Sequence, residues 1–131
     1  VTFDPSKVAY ADLLRVFLSV ATDPTELNYQ GPDHGTQYRS VLWYTTDAQK
    51  NTATAYIDQL TKAKTYANRI VTEVKPAQAF YNAEGYHQDY ATLHPDDGYI
   101  AYNDAPKVVN LKKFFPKLYR EQPVLVGSTQ P

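Results

Sequence analysis

The sequence predicts an α/β fold in which helices and strands alternate along the chain. Apolar residues recur at helical spacing in two long segments. Short β-prone runs lie before and after the second of these segments, which is the order of a βαβ unit. A chain of 131 residues has the length of one domain built around one core, so we expect a single domain over 1–131.

The N-terminal part predicts the end of a strand at Val1–Phe3, a turn, and then a helix. From Tyr10 to Val20 the apolar residues share one helical face: Leu13, Leu14, Phe17 and Val20. Residues 22–37 show no usable periodicity. Because connections longer than about 12–15 residues are uncommon in compact domains unless they have a function, we expect a functional loop here.

The middle of the chain predicts a strand, a helix and a second strand. Val41–Tyr44 is β-prone, and Thr45–Asp47 supplies a cap for the following helix. Apolar residues recur along that helix at Ala53, Tyr56, Ile57 and Leu60. Ile70–Val74 alternates like a half-buried strand, which we expect to stop at the following Lys-Pro.

The C-terminal part predicts a short extended piece at Tyr99–Ala101 and then a helix. Asn103 and Asp104, followed by Pro106, form a typical helix start, and Pro116 should end that helix. We expect residues 122–131 to form a loose tail.

Composition excludes several classes of function. The chain contains no cysteine, which removes disulfides, thiolate metal sites and thiol catalysis from what it can do alone. With 13 basic and 14 acidic residues the formal net charge is -1, so we expect neither nucleic acid nor a membrane as partner. No phosphate-binding, dinucleotide-binding or hydrolase motif is present.

Polar chemistry is concentrated in residues 30–40. Gly31 and Gly35 can adopt positive φ there and Pro32 fixes φ, so a tight loop could aim Asp33 and Tyr38 at one point. A tyrosine keeps its proton at neutral pH, since its ordinary pKa is about 10. Tyr38 could therefore donate a hydrogen bond to a polar oxygen of a substrate.

A second polar cluster spans residues 80–90. If a helix begins near Ala83, Glu84 lies on one face with His87 and with Gln88 or Tyr90. A metal site would need further ligands, so a helix held by a buried Glu84–His87 pair is the favoured interpretation and no metal is expected. Glycoside chemistry would require Asp33 and Glu84 to meet across the fold, which remains an open alternative.

Six stretches of the chain resemble the peptide methionine sulfoxide reductase A family. They are residues 23–25, 30–40, 70–74, 80–90, 103–108 and 115–119. The resemblance implies an α/β roll, ferredoxin-like, with a mixed sheet flanked by helices. It also implies reduction of the S epimer of methionine sulfoxide, free or in peptides, as a protein-repair activity with thioredoxin as electron donor and no cofactor.

The same resemblance implies roles for individual residues. Tyr38 matches an oxygen-binding tyrosine, and Asp33 matches the aspartate that orders the pocket. The flanking and supporting positions are Gly35, Gln37, Arg39, Glu84, His87, Gln88 and Tyr90. The family's Gly-Cys-Phe-Trp nucleophile motif, its acidic glutamate and its second tyrosine have no counterpart in these 131 residues, so we expect a family domain that lacks its N-terminal part and is inactive alone.

Two functions follow as alternatives. The chain is either a large part of a working reductase or a non-enzymatic binding module, a pseudoenzyme derived from this family. An uncovered sheet edge should favour pairing with a second copy of the chain. The resemblance leaves the compartment open between the cytoplasm and the bacterial periplasm.

Overall fold

The computed structural model describes residues 1–126. Its contacts divide the chain into two units, Val1–Ala79 and Phe80–Pro131. Helices flank two short sheets, and the expected α/β class is confirmed. Within residues 1–126, no helix is long and apolar enough to cross a membrane.

The first helix supplies the best buried side chains of the N-terminal unit. Helix α1 spans Tyr10–Val16 and continues as a π-helix over Phe17–Ala21. Leu14 and Leu18 are almost fully buried, because residues four apart lie on one helical face. The helix expected from Tyr10 to Val20 is confirmed, although the deeply buried pair is Leu14 and Leu18 rather than the whole predicted set.

A short hairpin occupies the segment expected to be an irregular loop. Strands β1 (Tyr29–Gln30) and β2 (Asp33–His34) pair antiparallel around a two-residue turn, and a 3₁₀ turn follows over Thr36–Tyr38. The lack of regular structure expected for residues 22–37 is therefore wrong. Strands of two residues are too short to produce a periodic sequence pattern.

The predicted βαβ unit is confirmed. Strand β3 (Val41–Tyr44) pairs in parallel with β4 (Glu73–Pro76), and helix α2 (Asp47–Lys62) connects them. Thr46 caps α2, since its hydroxyl accepts a hydrogen bond from the Gln49 N–H at 3.2 Å. Ala53 on α2 is buried.

Strand β4 lies later than the predicted Ile70–Val74. The N–H of Val71 donates to the carbonyl of Pro24 at 2.8 Å, and ladder pairing begins at Glu73. Residues 70–72 are thus extended but bond to a loop. The strand ends at Pro76, its last paired residue, which lies opposite Tyr44, so the stop predicted at Lys75 and Pro76 is confirmed.

Over residues 80–126 the C-terminal unit contains three short helical elements and the longer helix α4. They are a 3₁₀ turn at Gly85–His87, helix α3 at Tyr90–Leu93, a π-helix at Ile100–Asp104 and helix α4 at Ala105–Phe114. The helix predicted from Asn103 is confirmed, with Pro106 in its first turn. The extended piece predicted at Tyr99–Ala101 is wrong, because Ile100 and Ala101 belong to the π-helix.

The sequence predicts a strand end at Val1–Phe3 and a loose tail at residues 122–131. Val1–Phe3 is not a strand, so that prediction is wrong; no ladder partner reaches it among residues 1–126. In the predicted tail, the Val126 N–H donates to both carboxylate oxygens of Asp89, at 3.0 and 3.2 Å. Residues 127–131 of that tail lie outside the described residues.

Candidate functional site

The loop over residues 30–40 is shaped by its two glycines. Gly31 has φ 54° and is the first residue of the hairpin turn, the position that favours glycine in such turns. Gly35 has φ 129° and ψ 161°, a region open essentially to glycine alone. The positive φ expected at both positions is confirmed.

Side-chain hydrogen bonds between this hairpin and the preceding segment hold it in place. The amide of Gln30 bridges Asp23, donating to its carbonyl at 2.9 Å and accepting from its N–H at 3.0 Å. The carboxylate of Glu26 accepts from the Gly31 N–H at 2.9 Å. The loop geometry is therefore specified by several polar contacts that span its base.

Asp33 and Tyr38 lie on consecutive elements of this loop. Asp33 is half-buried in β2, whose partner strand it faces at Gln30. Tyr38 ends the 3₁₀ turn, and its N–H donates to the carbonyl of Gly35 at 3.0 Å. Its side chain is 40% exposed, which leaves the phenol accessible to a ligand.

Arg39 connects the loop to strand β4. Its guanidinium donates to the Thr36 carbonyl at 2.7 Å and lies 3.3 Å from the Glu73 carboxylate. The pKa of Glu73 is lowered, chiefly by a hydrogen bond from the Lys75 ammonium, with Arg39 adding to the effect. Glu73 thus holds two cations beside the end of the loop.

Ser40 fixes the point where the loop joins the sheet. Among residues 1–126, Ser40 is the only polar residue that is buried. Its hydroxyl shares a 2.8 Å hydrogen bond with the hydroxyl of Thr72. The Ser40 carbonyl accepts from the Glu73 N–H at 3.0 Å. Side-chain and backbone bonds together therefore tie the loop to β4.

The second cluster is organised differently from the prediction. The Glu84 carboxylate lies 3.7 Å from His87 Nε2, so the pair forms, but the side chains are 69% and 56% exposed. The expected buried pair on a continuous helix is wrong. Residues 85–87 form one 3₁₀ turn, and Gln88 leaves helical geometry to donate to the Ala83 carbonyl at 3.0 Å.

Tyr90 is held by an aspartate that the sequence patterns did not single out. Its hydroxyl donates to Asp97 at 3.1 Å, and its ring packs on His94 with centroids 4.4 Å apart. Asp97 also accepts from the N–H groups of Tyr99 and Ile100. These contacts lower the pKa of Asp97, the Ile100 N–H first, while the Asp97 hydrogen bond raises the pKa of Tyr90.

Sequence reasoning missed the residues that support the first loop. Asp23, Glu26, Thr72 and Glu73 all contact it. The sequence places Asp23 in the family signature, and Thr72 and Glu73 in a predicted strand that also belongs to it. No local spacing in the sequence links Glu73 to Arg39. Within residues 1–126, no three His, Asp or Glu side chains cluster as a metal site would require.

The two clusters lie in different units. Asp33, Gly35, Gln37, Tyr38 and Arg39 belong to the first unit, and the supporting positions around residue 87 belong to the second. The first unit alone defines the class: an α/β protein that presents an accessible phenol on a glycine-shaped, hydrogen-bonded loop.

Comparisons with known proteins assign the chain to a family. A model of the family described as peptide methionine sulfoxide reductase matches residues 1–119. The chain belongs to the peptide methionine sulfoxide reductase family.

Two curated relatives illustrate the similarity. A peptide methionine sulfoxide reductase of Mesorhizobium japonicum is 59% identical over 98% of this chain and 66% of its own length. One from Synechocystis is 46% identical over 87% of this chain and 52% of its own length. The chain thus spans about half to two thirds of the length of these relatives.

Solved structures agree with the family assignment. The reduced form of Mxr1 from Saccharomyces cerevisiae is 36% identical with a TM-score of 0.68, covering 74% of this chain and 51% of the other. The methionine sulfoxide reductase A of Corynebacterium diphtheriae is 32% identical with a TM-score of 0.54, covering 71% and 48%. The fold expected from the resemblance is confirmed.

Proposed function

We propose that this chain provides the oxygen-binding part of a methionine-S-sulfoxide reductase site. In this proposal the Tyr38 hydroxyl donates a hydrogen bond to the sulfoxide oxygen, and Asp33 orders the loop that presents it. The substrate is methionine sulfoxide, in peptides or free. Because the 131 residues contain no cysteine, the attacking thiol must come from outside them, and the chain alone does not turn substrate over.

The reaction at such a site transfers the oxygen of methionine sulfoxide to the sulfur of a cysteine. A cysteine thiolate attacks the sulfoxide sulfur while the sulfoxide oxygen takes up a proton; the S–O bond breaks, the oxygen passes to the cysteine sulfur as a sulfenic acid, and the thioether leaves. A second thiol displaces the sulfenic oxygen as water and forms a disulfide, which a dithiol such as thioredoxin reduces. A donor positioned at the oxygen typically contributes about 10²–10³-fold in rate.

One observation carries the proposal. Tyr38 is 40% exposed although it sits in a chain segment whose backbone is held by Gly35, Gln30 and Arg39. A hydrogen-bond donor on a backbone that is already ordered loses little entropy on binding and stays oriented toward its acceptor. Family membership supports the oxygen of a sulfoxide as the acceptor in this proposal.

Epimer-resolved titration tests this function. The isolated chain is titrated with the S and R sulfoxides of N-acetylmethionine amide, and the amide NMR signals of residues 35–40 are followed. We expect preferential binding of the S epimer, weakened about two- to tenfold in Tyr38→Phe, the effect of one hydrogen bond. Tyr56→Phe, on helix α2, should bind like the unmodified chain.

Separate results bear on separate parts of the proposal. Equal binding of both epimers, or no effect of Tyr38→Phe, would overturn the assignment of Tyr38. Turnover by the isolated chain with dithiothreitol would overturn the need for an external thiol.

A non-enzymatic binding module is the second candidate, and the absence of any cysteine in the chain favours it. A binding module of this kind would hold methionine peptides whether or not their sulfur is oxidised. A reductase pocket should prefer the sulfoxide, because only the sulfoxide offers an acceptor to the Tyr38 hydroxyl. Competition between a methionine peptide and its S-sulfoxide form therefore separates the two.

We further propose that the chain pairs with a second copy through the edge of the β3–β4 ladder. Within residues 1–126 this ladder has two strands, so its outer edges offer unpaired backbone groups. Trp43, on β3, is 44% exposed. Strand pairing between copies would satisfy the backbone groups and cover that indole.

A further inference from the structure

A small cleft lies where helix α2 ends and the chain turns toward β4. Its volume is about 210 Å³, below the roughly 300–1,000 Å³ of pockets that enclose drug-sized ligands. The cleft has room for a single side chain and the group next to it. The lining residues are Leu60, Thr61, Lys64, Tyr66, Ala67, Asn68, Arg69 and Ile70.

The backbone turn beside this cleft is closed by hydrogen bonds. Helix α2 ends in a Schellman motif, in which the N–H of Thr65 donates to the Leu60 carbonyl and the N–H of Lys64 to the Thr61 carbonyl, both at 3.1 Å. Lys64 occupies the left-handed position with φ 51°. Glycine usually fills this position, so the lysine costs backbone strain.

The inner wall of the cleft is apolar. Leu60 and Ile70 are half-buried, as is Tyr66. The Tyr66 hydroxyl donates to the carbonyl of Leu18, in the π-helix that continues α1. The Tyr66 ring forms part of the cleft wall. Burial is the largest cause of the raised pKa of Tyr66.

The rim of the cleft is cationic, and none of the described residues 1–126 forms an ion pair with it. Neither the Lys64 ammonium nor the Arg69 guanidinium forms an ion pair with any of residues 1–126. Residues 59–72 contain three basic side chains and no acidic one, whereas the whole chain has a formal charge of -1. Asp23, which acts electrostatically on Tyr66, already accepts two hydrogen bonds from Thr25.

We propose that this cleft binds a carboxylate carried next to an aliphatic side chain, as at an acidic or C-terminal position of a peptide. The carboxylate pairs with Lys64 and Arg69, and the aliphatic group packs against Leu60, Tyr66 and Ile70. This site lies outside the loop of residues 30–40 and does not depend on the function proposed for that loop.

Two pairs of probes test the site and separate the sources of the carboxylate. N-acetyl-leucine carries a terminal carboxylate, and acetyl-Leu-Glu-amide carries a side-chain carboxylate; N-acetyl-leucine amide and acetyl-Leu-Gln-amide are their uncharged partners. Each is titrated into the chain while the amide NMR signals of residues 60–70 are followed. We expect shifts in this segment, with at least one acid binding about tenfold more tightly than its uncharged partner.

Charge-removing variants identify the residues responsible. Lys64→Gln and Arg69→Gln should each weaken binding of the acid about three- to tenfold. Lys62→Gln is the matched control, since it removes a neighbouring charge that does not line the cleft, and it should leave affinity unchanged. If neither acid is favoured over its uncharged partner, or if Lys62→Gln weakens binding as much as Arg69→Gln, the proposal is wrong.

Discussion

Single residues decide the shape of the candidate site. Gly35 adopts a conformation that side chains exclude, and an added Cβ would meet the Gln37 side chain, with its Cδ only 2.8 Å away. Tyr38 and Asp33 flank this glycine on consecutive elements. Their relative position therefore depends on a residue that contributes no functional group itself.

Gly35→Ala should destabilise the chain by about 1–3 kcal/mol, because a side chain in this backbone region costs that much. The free energy of unfolding from urea denaturation measures the effect. Gly85→Ala is the control, since no atom lies within 4 Å of its added Cβ and its φ is not positive; it should change stability by less than about 0.5 kcal/mol. Equal effects of the two substitutions would contradict the strain argument.

Glu73 should make stability depend on acid pH. Its folded-state pKa lies below the ordinary value of 4.5, because Lys75 and Arg39 stabilise the carboxylate. A depressed pKa contributes stability above the unfolded-state pKa, and that contribution is lost as pH falls below about 4.5 through the folded value. Glu73→Gln should therefore lower the melting temperature at pH 7, and the difference should shrink below about pH 4.5.

The control for Glu73 is an exposed carboxylate on helix α2, Asp58→Asn. Asp58 pairs with no cation among residues 1–126. A melting-temperature difference for Glu73→Gln that stays constant from pH 7 to pH 3 would argue against the ion-pair explanation.

At the scale of elements, helix α2 is specified at both ends. Thr46 satisfies an N–H at its start, and the Schellman motif satisfies carbonyls at its end. The two ends differ, however, in how well their residues suit their positions. Threonine is a favoured cap, whereas lysine is not a favoured left-handed residue.

Thr46→Ala should destabilise the chain by about 1 kcal/mol through loss of the cap bond to Gln49. Thr46→Ser retains a hydroxyl and should recover most of that loss. Chemical denaturation of the two variants provides the comparison, and similar losses in both would show that the hydroxyl is not the cause.

Lys64→Gly should stabilise the chain by about 0.5–1 kcal/mol. Relief of left-handed strain is worth roughly 1–2 kcal/mol, and the greater freedom of glycine in the unfolded state offsets about 0.4–1 kcal/mol of it. Lys62→Gly, at the last residue of helix α2, should instead destabilise the chain by up to about 1 kcal/mol, because glycine is a poor helix former. Opposite signs in urea denaturation are the expected signature.

At the scale of the molecule, little side-chain surface is fully buried. Among residues 1–126 the buried apolar residues are Leu14, Leu18, Pro24, Ala53 and Ile100, while several large apolar side chains, Trp43 included, are exposed. Exposed apolar surface of this kind favours association with a covering partner. The proposed strand pairing between copies follows from this surface together with the open ladder edge.

The oligomeric state tests that pairing. We expect light scattering to show a concentration-dependent dimer, and Trp43→Lys, which places a charge on β3, to shift the population toward monomer. Trp43→Phe should retain the dimer. A monomer at all concentrations for the unmodified chain would rule the pairing out.

Features that depend on a few neighbouring residues could be predicted from the sequence. Helical spacing identified α1 and α2, Pro106 and its neighbours identified the start of α4, and Gly31 and Gly35 identified the turns of the site loop, because periodicity and φ preferences act over a few residues. The family signature likewise lies in contiguous residues.

Contacts between residues far apart in the chain became visible only in the folded molecule. The pairing of Ser40 with Thr72, the contact of Arg39 with Glu73 and the bond from Val71 to Pro24 join residues that no spacing rule connects. The last of these bonds also delayed strand β4 beyond its predicted start. Such contacts depend on where whole elements pack, which is a property of the folded chain and leaves no local pattern in the sequence.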